Sequence, residues 1–336
     1  MANPIWKDYY VNLGTAESVQ FRILVGEDVI YTGKAYKRPG KTNNEIRIND
    51  ICADYLENVF PELVGTTFIG NEYVTFVVQT LSGTTWTNRA NVQFDMNWSY
   101  DYDYNPAKMG VSFPINGEID IRQWVIYTAY NATTITATIK LENGDSFPVL
   151  IPVEISEDFN SDFNSDFAKS VRASQTGTAV FELSQYGKVV SITIDNNVFK
   201  VVNSCNRYAL YYANAYGGWD SFLIKGNHTM SDAITRHTRE TEYDNRNVQN
   251  RGKHNYVNEI VKSMTLHTSW LSDEESLRMH HLLNSTEVYL YDMETNQMIP
   301  VVLTNSTTDY KTYKGNGCKL VNYAIVVAIA QEMIRR

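Results

Sequence analysis

The chain has 336 residues, of which 43% are hydrophobic and 20% are charged. This composition excludes a disordered protein, and the length predicts two or three domains. The net charge of −9 argues against a broad basic surface, so we expect no direct reading of nucleic acid. Tyrosine is abundant, with 23 residues against 13 Phe and 6 Trp, which suits half-buried sheets and wet interfaces.

An N-terminal β module is predicted over residues 1–96. Residues 19–36 alternate apolar and polar side chains on either side of a Gly-Glu-Asp turn, which is the pattern of a β-hairpin. A short strand then leads into a helical turn that either Asn49 or Asp50 could cap. The same alternation predicts further strands at 73–80 and 91–94.

A second β module is predicted over residues 97–157. Its strands are expected at 123–130, 134–141 and 147–155. The dipeptide Asn143-Gly144 is the strongest short hairpin signal in the chain. A tandem Phe-Asn-Ser-Asp repeat follows, and we interpret residues 158–169 as a linker between modules.

Residues 170–336 are predicted to form a C-terminal β-barrel-like module with a long polar arm. The arm, residues 227–255, exceeds the usual loop length, so it is either an extended hairpin or a functional loop. One helix is predicted at 272–283, because Ser272 and Glu275 form a capping box. The strands of this module are expected at 179–183, 189–194, 198–202, within 207–226, and at 287–291, 298–304 and 320–329.

The predicted fold class is therefore mainly β, with tandem β-sandwich or β-barrel modules and one or two short α-helices. The longest apolar run, 321–329, is about half the length of a membrane-spanning helix, so we expect no membrane segment. The first ten residues lack a basic region followed by an apolar run, so we also expect no secretory signal.

The familiar motifs of catalysis and metal binding are missing from the sequence. Cys52, Cys205 and Cys318 lack zinc-site spacing, and we expect all three to be buried in a reducing compartment. The segment 101–112 begins like a calcium loop but carries Pro106 where that loop needs Gly. Nucleophile elbows, phosphate-binding loops and dinucleotide fingerprints do not occur. We expect a protein with no enzymatic activity, no catalytic residues, no cofactor and no metal.

Three chemical alternatives stay open at this point. A glycan hydrolase needs two carboxylates that are close in space, which no sequence spacing can exclude. The series Asp158, Asp162 and Asp166 could hold a cation between subunits. The stripe of Tyr100, Tyr102 and Tyr104 could stack on sugars or bases, although such residues more often cover a sheet or an interface.

Several segments resemble virion structural proteins of tailed bacteriophages. The resemblance is to tail, baseplate or connector components of phages that infect gut Bacteroides-type hosts, including crAss-like phages. It covers about residues 200–336, and Glu45–Ile51 is similar to the same group. The segments that carry it are Tyr-Ala-Leu-Tyr-Tyr-Ala-Asn-Ala-Tyr-Gly-Gly-Trp from 208, Val-Tyr-Leu from 288, Ile-Pro-Val-Val-Leu from 299, Tyr-Lys-Thr from 310 and Asn-Tyr-Ala-Ile from 322.

This resemblance implies a subunit of a ring or tube that associates with copies of itself and with other virion proteins, with assembly into the virion in the host cytoplasm. No catalytic residue carries over. The alternative is a carbohydrate-binding module for a host surface glycan, because exposed Tyr and Trp on β-sandwiches suit sugar stacking. The predicted subunit-interface residues lie in the repeat, in the Gly-Gly turn and in the polar arm, and they are Phe159, Phe163, Phe167, Tyr216, Trp219, Arg236, Arg239, Tyr243, Arg246 and Arg251.

Overall fold

A computed structural model describes fourteen stretches of the chain, which divide into two compact units. Unit 1 comprises Met1–Asn116, Trp124–Val201 and Ala213–Asp220, and unit 2 comprises Gly117–Gln123, Val202–Tyr212 and Ser221–Arg336. The described residues are 3–4, 9–53, 55, 63, 67–70, 73–95, 117–129, 134–152, 177–194, 197–214, 218–240, 253–304, 322–330 and 333–335.

The described chain is mainly β with two short α-helices, which confirms the predicted fold class. The elements of the first half are β1 (Asn3–Pro4), β2 (Tyr10–Gly14), β3 (Ser18–Val25), β4 (Asp28–Tyr36), β5 (Asn44–Arg47), α1 (Asn49–Ala53), β6 (Thr67–Gly70), β7 (Tyr73–Ser82), β8 (Thr85–Asp95), β9 (Glu118–Asp120), β10 (Val125–Ala129), β11 (Thr134–Leu141) and β12 (Ser146–Pro152). Those of the second half are β13 (Gly177–Phe181), β14 (Val189–Ile194), β15 (Asn197–Val202), β16 (Tyr208–Ala213), β17 (Trp219–Leu223), β18 (His228–Glu240), β19 (Lys253–His267), α2 (Asp273–Leu283), β20 (Val288–Asp292), β21 (Gln297–Leu303), β22 (Ala324–Ile329) and β23 (Met333–Arg335).

The largest sheet of unit 1 has the strand order β1-β8-β7-β3-β4. The predicted N-terminal hairpin is confirmed, because β3 and β4 pair antiparallel from Ser18 and Tyr36 to Val25 and Asp28. Its turn contains Gly26 at a φ of 62°, a conformation that glycine adopts without steric cost. The two predicted strands that follow are confirmed and longer than expected, because β7 and β8 form a continuous hairpin.

The first core of unit 1 lies on one face of this sheet. The short helix α1 begins at Asn49, and the Asn49 side chain accepts a hydrogen bond from the Tyr9 N–H at 2.6 Å, which holds the helix start against the preceding segment. Cys52 on the same helix is fully buried, and this burial raises the pKa of its thiol to about 12. The residues buried in this core are Val11, Leu13, Phe21, Ile23, Val25, Ala35, Ile48, Cys52, Phe76, Val78, Val92 and Phe94.

Unit 1 contains further open sheets with the strand orders β10-β13-β6 and β12-β11-β14-β15. The Asn143-Gly144 hairpin is confirmed, because Lys140 pairs with Ser146 and Gly144 has a φ of 92°. The predicted linker 158–169 and the calcium-like segment 101–112 lie outside the described residues.

Unit 2 is built on one large sheet with the order β17-β16-β20-β21-β22-β19-β18, and β23 also pairs with β19. The strands at the two ends of this order, β17 and β18, do not pair with each other, so the sheet is open over the described residues. The expected barrel-like closure is therefore not realised, and the module is an open sheet packed on a helix. No helix within these stretches is long and apolar enough to cross a bilayer.

The predicted helix of unit 2 is confirmed as α2. Its N-cap Ser272 accepts a hydrogen bond from the Glu275 N–H at 3.3 Å, and the Glu275 carboxylate accepts one from the Ser272 N–H at 2.8 Å. The helix buries Met279 and Leu282 completely against the sheet, whereas His281 is only partly buried. Met279 and Leu282 are thus the core contacts of this helix.

Candidate functional site

A long β-hairpin at the edge of unit 2 is the most distinctive feature of the described surface. We call it the hairpin arm and define it as β18 and β19, residues 228–240 and 253–267. The 13 residues of β18 all pair with β19, and at about 3.4 Å per residue such a strand is about 44 Å long. The hairpin alternative for the polar segment is confirmed for these residues, and the tip, 241–252, lies outside the described chain.

The hairpin arm is exposed along most of its length. Every residue of β18 is exposed except His237, which is half-buried. β22 pairs with β19 only at 263–267 and β23 only at 258–260. β18 stands at the end of the strand order, so its outer edge has no strand neighbour in the described part of the chain. An edge of this kind presents unpaired backbone N–H and C=O groups to its surroundings.

The base of the hairpin arm is firmly anchored in unit 2. Met264 and Leu266 of β19 are buried in the core, and the His267 N–H donates a hydrogen bond to the Asn227 carbonyl at 2.9 Å. Gly226 lies so close to the returning strand that an added Cβ would be 2.2 Å from the His267 carbonyl oxygen. The hairpin arm therefore leaves unit 2 from a fixed position.

The side chains of β18 alternate between two mixed faces. One face carries Met230, Asp232, Ile234 and Arg236, because these residues are two apart along the strand. Met230 is 64% exposed and Ile234 is 42% exposed. Tyr256 of β19 is 57% exposed and lies beside the ring of His237. Exposed apolar groups of this size among charged ones are typical of a surface that contacts another protein.

Side-chain contacts also connect the two strands of the hairpin arm. His237 lies 3.0 Å from the Glu259 carboxylate, and Lys253 Nζ lies 2.9 Å from that of Glu240. Such exposed pairs contribute little stability on their own. They leave Asp232 and Arg236, which take part in none of these pairs, exposed on the outer strand.

The structure places three of the ten predicted interface residues among the described ones. Arg236 and Arg239 are exposed on β18. Trp219 is only 4% exposed, and its backbone N–H donates a hydrogen bond to Thr128 Oγ1 at 3.1 Å, so it is a buried residue rather than part of the described surface. The other seven lie outside the described residues, namely Phe159, Phe163, Phe167, Tyr216, Tyr243, Arg246 and Arg251.

Sequence reasoning missed the apolar part of this surface. Met230, Ile234 and Tyr256 stand in a polar part of the sequence, so the contacts predicted there were mostly charged residues. A usable signal was present, because Met230 and Ile234 have an even spacing and so lie on one face of a strand. Read as a strand, the segment indicates a ribbon with an apolar element on its exposed face.

Unit 2 also has an open groove of about 540 Å³, and Cys205, Arg207, Lys225 and His228 contribute to its lining. Arg207 lies 2.7 Å from the Asp292 carboxylate, and Lys225 lies 2.7 Å from that of Glu118, so both cations are already neutralised. Cys205 is exposed, which corrects the expectation that it is buried.

A hydrogen-bonded ion pair lies elsewhere in unit 2. The Asp120 side chain is fully buried and accepts hydrogen bonds from Arg122 Nε at 2.9 Å and from Ser204 Oγ at 2.6 Å. Burial alone would raise the pKa of Asp120, but the hydrogen bonds from Arg122 and Ser204 and the Arg122 charge lower it below its ordinary value. Arg122 also donates to the Ser204 carbonyl at 2.9 Å, so the pair ties residues 117–123 to 202–207.

No group of three or more His, Cys, Asp or Glu residues could hold a metal ion within the fourteen stretches that the structure covers. No family model, curated protein or solved structure matches this chain. The hairpin arm therefore stands as the candidate functional surface on its geometry alone.

Proposed function

We propose that this chain is a non-enzymatic structural subunit that works by assembling with other protein subunits. The hairpin arm is the observation that carries the proposal. The resemblance of residues 200–336 to phage tail, baseplate and connector proteins supports a more specific role as a ring component of a bacteriophage virion.

The physical argument is that an isolated two-stranded ribbon is only marginally stable in water. On the tip side of Met264, residues 253–263 of β19 include none that is fully buried. The outer part of the hairpin arm therefore gains little from a core of its own. The free edge of β18 and the exposed side chains of Met230 and Ile234 are the groups that another subunit would cover. Contacts with that subunit would supply the burial that the chain itself does not provide.

Shortening the hairpin arm tests this proposal. The variant lacks residues 233–261 and joins Asp232 to Lys262 through an Asn-Gly turn, because the register places those two residues opposite each other. It retains the pairs between 263–267 and β22. We expect the full-length chain to form oligomers in mass photometry and rings in electron microscopy. The shortened chain should melt cooperatively and form no rings.

A matched control changes another exposed hairpin of similar polarity. Glu142→Ser with Asp145→Ser alters the tip of the β11–β12 hairpin in unit 1, and this variant should assemble like the unchanged chain. A full-length chain that stays monomeric at high concentration, or a shortened chain that still forms rings, would contradict the proposal.

The alternative function is binding of a host surface glycan. Its support is the pair of widely exposed aromatic rings Tyr36 and Trp270, each 65% exposed, since flat rings can stack on sugars. A monomeric chain that binds host polysaccharide in calorimetry, and loses that binding in Tyr36→Ala or Trp270→Ala, would favour this alternative over assembly.

A further inference from the structure

We propose that the outer edge of β18 pairs antiparallel with β18 of a second copy of this chain, with Ile234 on the twofold axis. This inference rests on the proposed function, because it names the contact through which two subunits join. A second copy is the partner that the length and the charge pattern of β18 fit.

The geometry of a twofold axis limits the ways in which two copies of β18 can pair. An axis perpendicular to a sheet makes the two edge strands antiparallel and leaves each residue on its original face. Directly opposed residues lie on the same face of the sheet. The axis must therefore pass midway between the two copies of one residue, so that this residue faces its own copy. The number of registers to consider is therefore small.

An axis at Ile234 gives the most complete pairing. Ile234 is the middle residue of the 13-residue strand, so every residue of β18 gains a partner. Asp232 then faces Arg236 of the second copy, and this pair occurs twice. Directly opposed residues of opposite charge stabilise an antiparallel pair.

The neighbouring registers lack this complementarity. An axis at Asp232 places two aspartates opposite each other. An axis at Arg236 places two arginines opposite each other and Asp232 opposite Glu240. Axes at Ala233 and Thr235 bring no opposite charges together. The charge pattern of β18 thus selects one register.

The rest of the exposed face agrees with the same register. Within one chain Asp232 is paired with Lys262 on β19, so a second copy would place this carboxylate between two cations. Ile234 is 42% exposed and pairs with Ile260 on β19, so the axis would bring an apolar row from both copies together. The contact would have an apolar centre flanked by charge pairs.

A charge exchange between two variants tests the register. Asp232→Arg and Arg236→Asp each place like charges opposite each other, so each variant alone should dimerise about tenfold more weakly than the unchanged chain. In an equimolar mixture, a chain with Asp232→Arg and a chain with Arg236→Asp are complementary at all four positions. We expect sedimentation analysis to show that the mixture recovers dimers, and native mass spectrometry to show that they contain one chain of each kind.

Cysteine cross-linking tests the position of the axis independently. In a chain with Cys205→Ser and Cys318→Ser, Ile234→Cys places two thiols directly across the axis, within the distance that a disulfide spans. Mild oxidation should give a covalent dimer. Met230→Cys is the matched control, because this site is 64% exposed but its two copies would be about 27 Å apart along the strands.

The outcomes separate this inference from the proposed function. One outcome is that the shortened hairpin arm abolishes assembly while the mixture recovers no dimers and Ile234→Cys gives no cross-link. That result would overturn the β18 pairing and leave the proposed function standing. A full-length chain that is monomeric under all conditions would overturn both. Asp232 and Arg236 are exposed, so the thermal melts of the separate variants serve as folding controls.

Discussion

Asp120 shows how a single carboxylate can hold two distant segments of unit 2 together. It accepts hydrogen bonds from Arg122 and Ser204, and its side chain is completely buried. The hydrogen bonds lower the pKa of Asp120 in the folded chain below its ordinary value of 3.8. A carboxylate with a lowered pKa stabilises the folded state above its ordinary pKa, and this stabilisation is lost as the pH falls through the folded value.

Replacement of this carboxylate gives a prediction with a defined pH dependence. Asp120→Asn should lower the free energy of unfolding by about 2–3 kcal/mol at pH 7, because it leaves the Arg122 guanidinium without its charged partner. The difference from the unchanged chain should shrink as the pH falls below 3.8, because the Asp120 carboxyl is protonated first in the unfolded chain and, at its lower pKa, in the folded chain. Denaturant unfolding at pH 7 and at pH 3 measures both quantities.

A surface ion pair provides the control for this prediction. Lys188 and Glu142 lie 3.0 Å apart with side chains that are 86% and 65% exposed, so Lys188→Ala should cost less than about 1 kcal/mol. If the effect of Asp120→Asn were equal at both pH values, the lowered pKa of Asp120 would not be its cause.

At the scale of single elements, local sequence patterns predicted the strands and helix well. The Asn143-Gly144 turn and the Ser272 capping box each depend on a few neighbouring residues, and both are confirmed. The order of strands in the sheets was not predictable. The pairing of β13 with β6 joins 177–180 to 67–70, and no local pattern encodes such a distant partner.

Exposure of single side chains was also beyond the sequence. Trp219 follows a Gly-Gly turn, where an exposed aromatic ring is a reasonable expectation, yet the strand that it begins is buried at every residue. Cys205 was expected to be buried because free cysteine usually is, yet it lies on an exposed connection between two strands. In both cases tertiary packing, rather than the residue type, decides the exposure.

The N-cap of α2 gives the prediction that belongs to the element scale. Ser272→Ala removes the hydroxyl that accepts the Glu275 N–H, so we expect a loss of about 1 kcal/mol in the free energy of unfolding. Ser146→Ala, an exposed serine at the start of β12, is the control and should change that free energy by less than about 0.5 kcal/mol. Equal stability of the Ser272→Ala and unchanged chains in denaturant unfolding would show that the capping box does not stabilise the helix.

At the scale of the whole molecule, the symmetry of the proposed contact limits what it can build. A twofold contact uses the same surface on both copies and closes on itself, so it joins two chains and no more. A ring needs a second, different contact surface between neighbours. The hairpin arm would then link two subunits within one ring, and another surface would join these pairs and set the number of subunits.

Association through the hairpin arm also makes stability depend on concentration. A partner that binds only the folded chain stabilises it by mass action, so the midpoint of thermal unfolding should rise by about 1–2 °C for each tenfold increase in protein concentration. The variant that lacks residues 233–261 cannot associate in this way, and its midpoint should stay constant over the same range. Scanning calorimetry of both chains at several concentrations provides the measurement. A midpoint that is constant for the full-length chain would mean that its folded state gains nothing from a second copy, and the hairpin arm would then need a different partner.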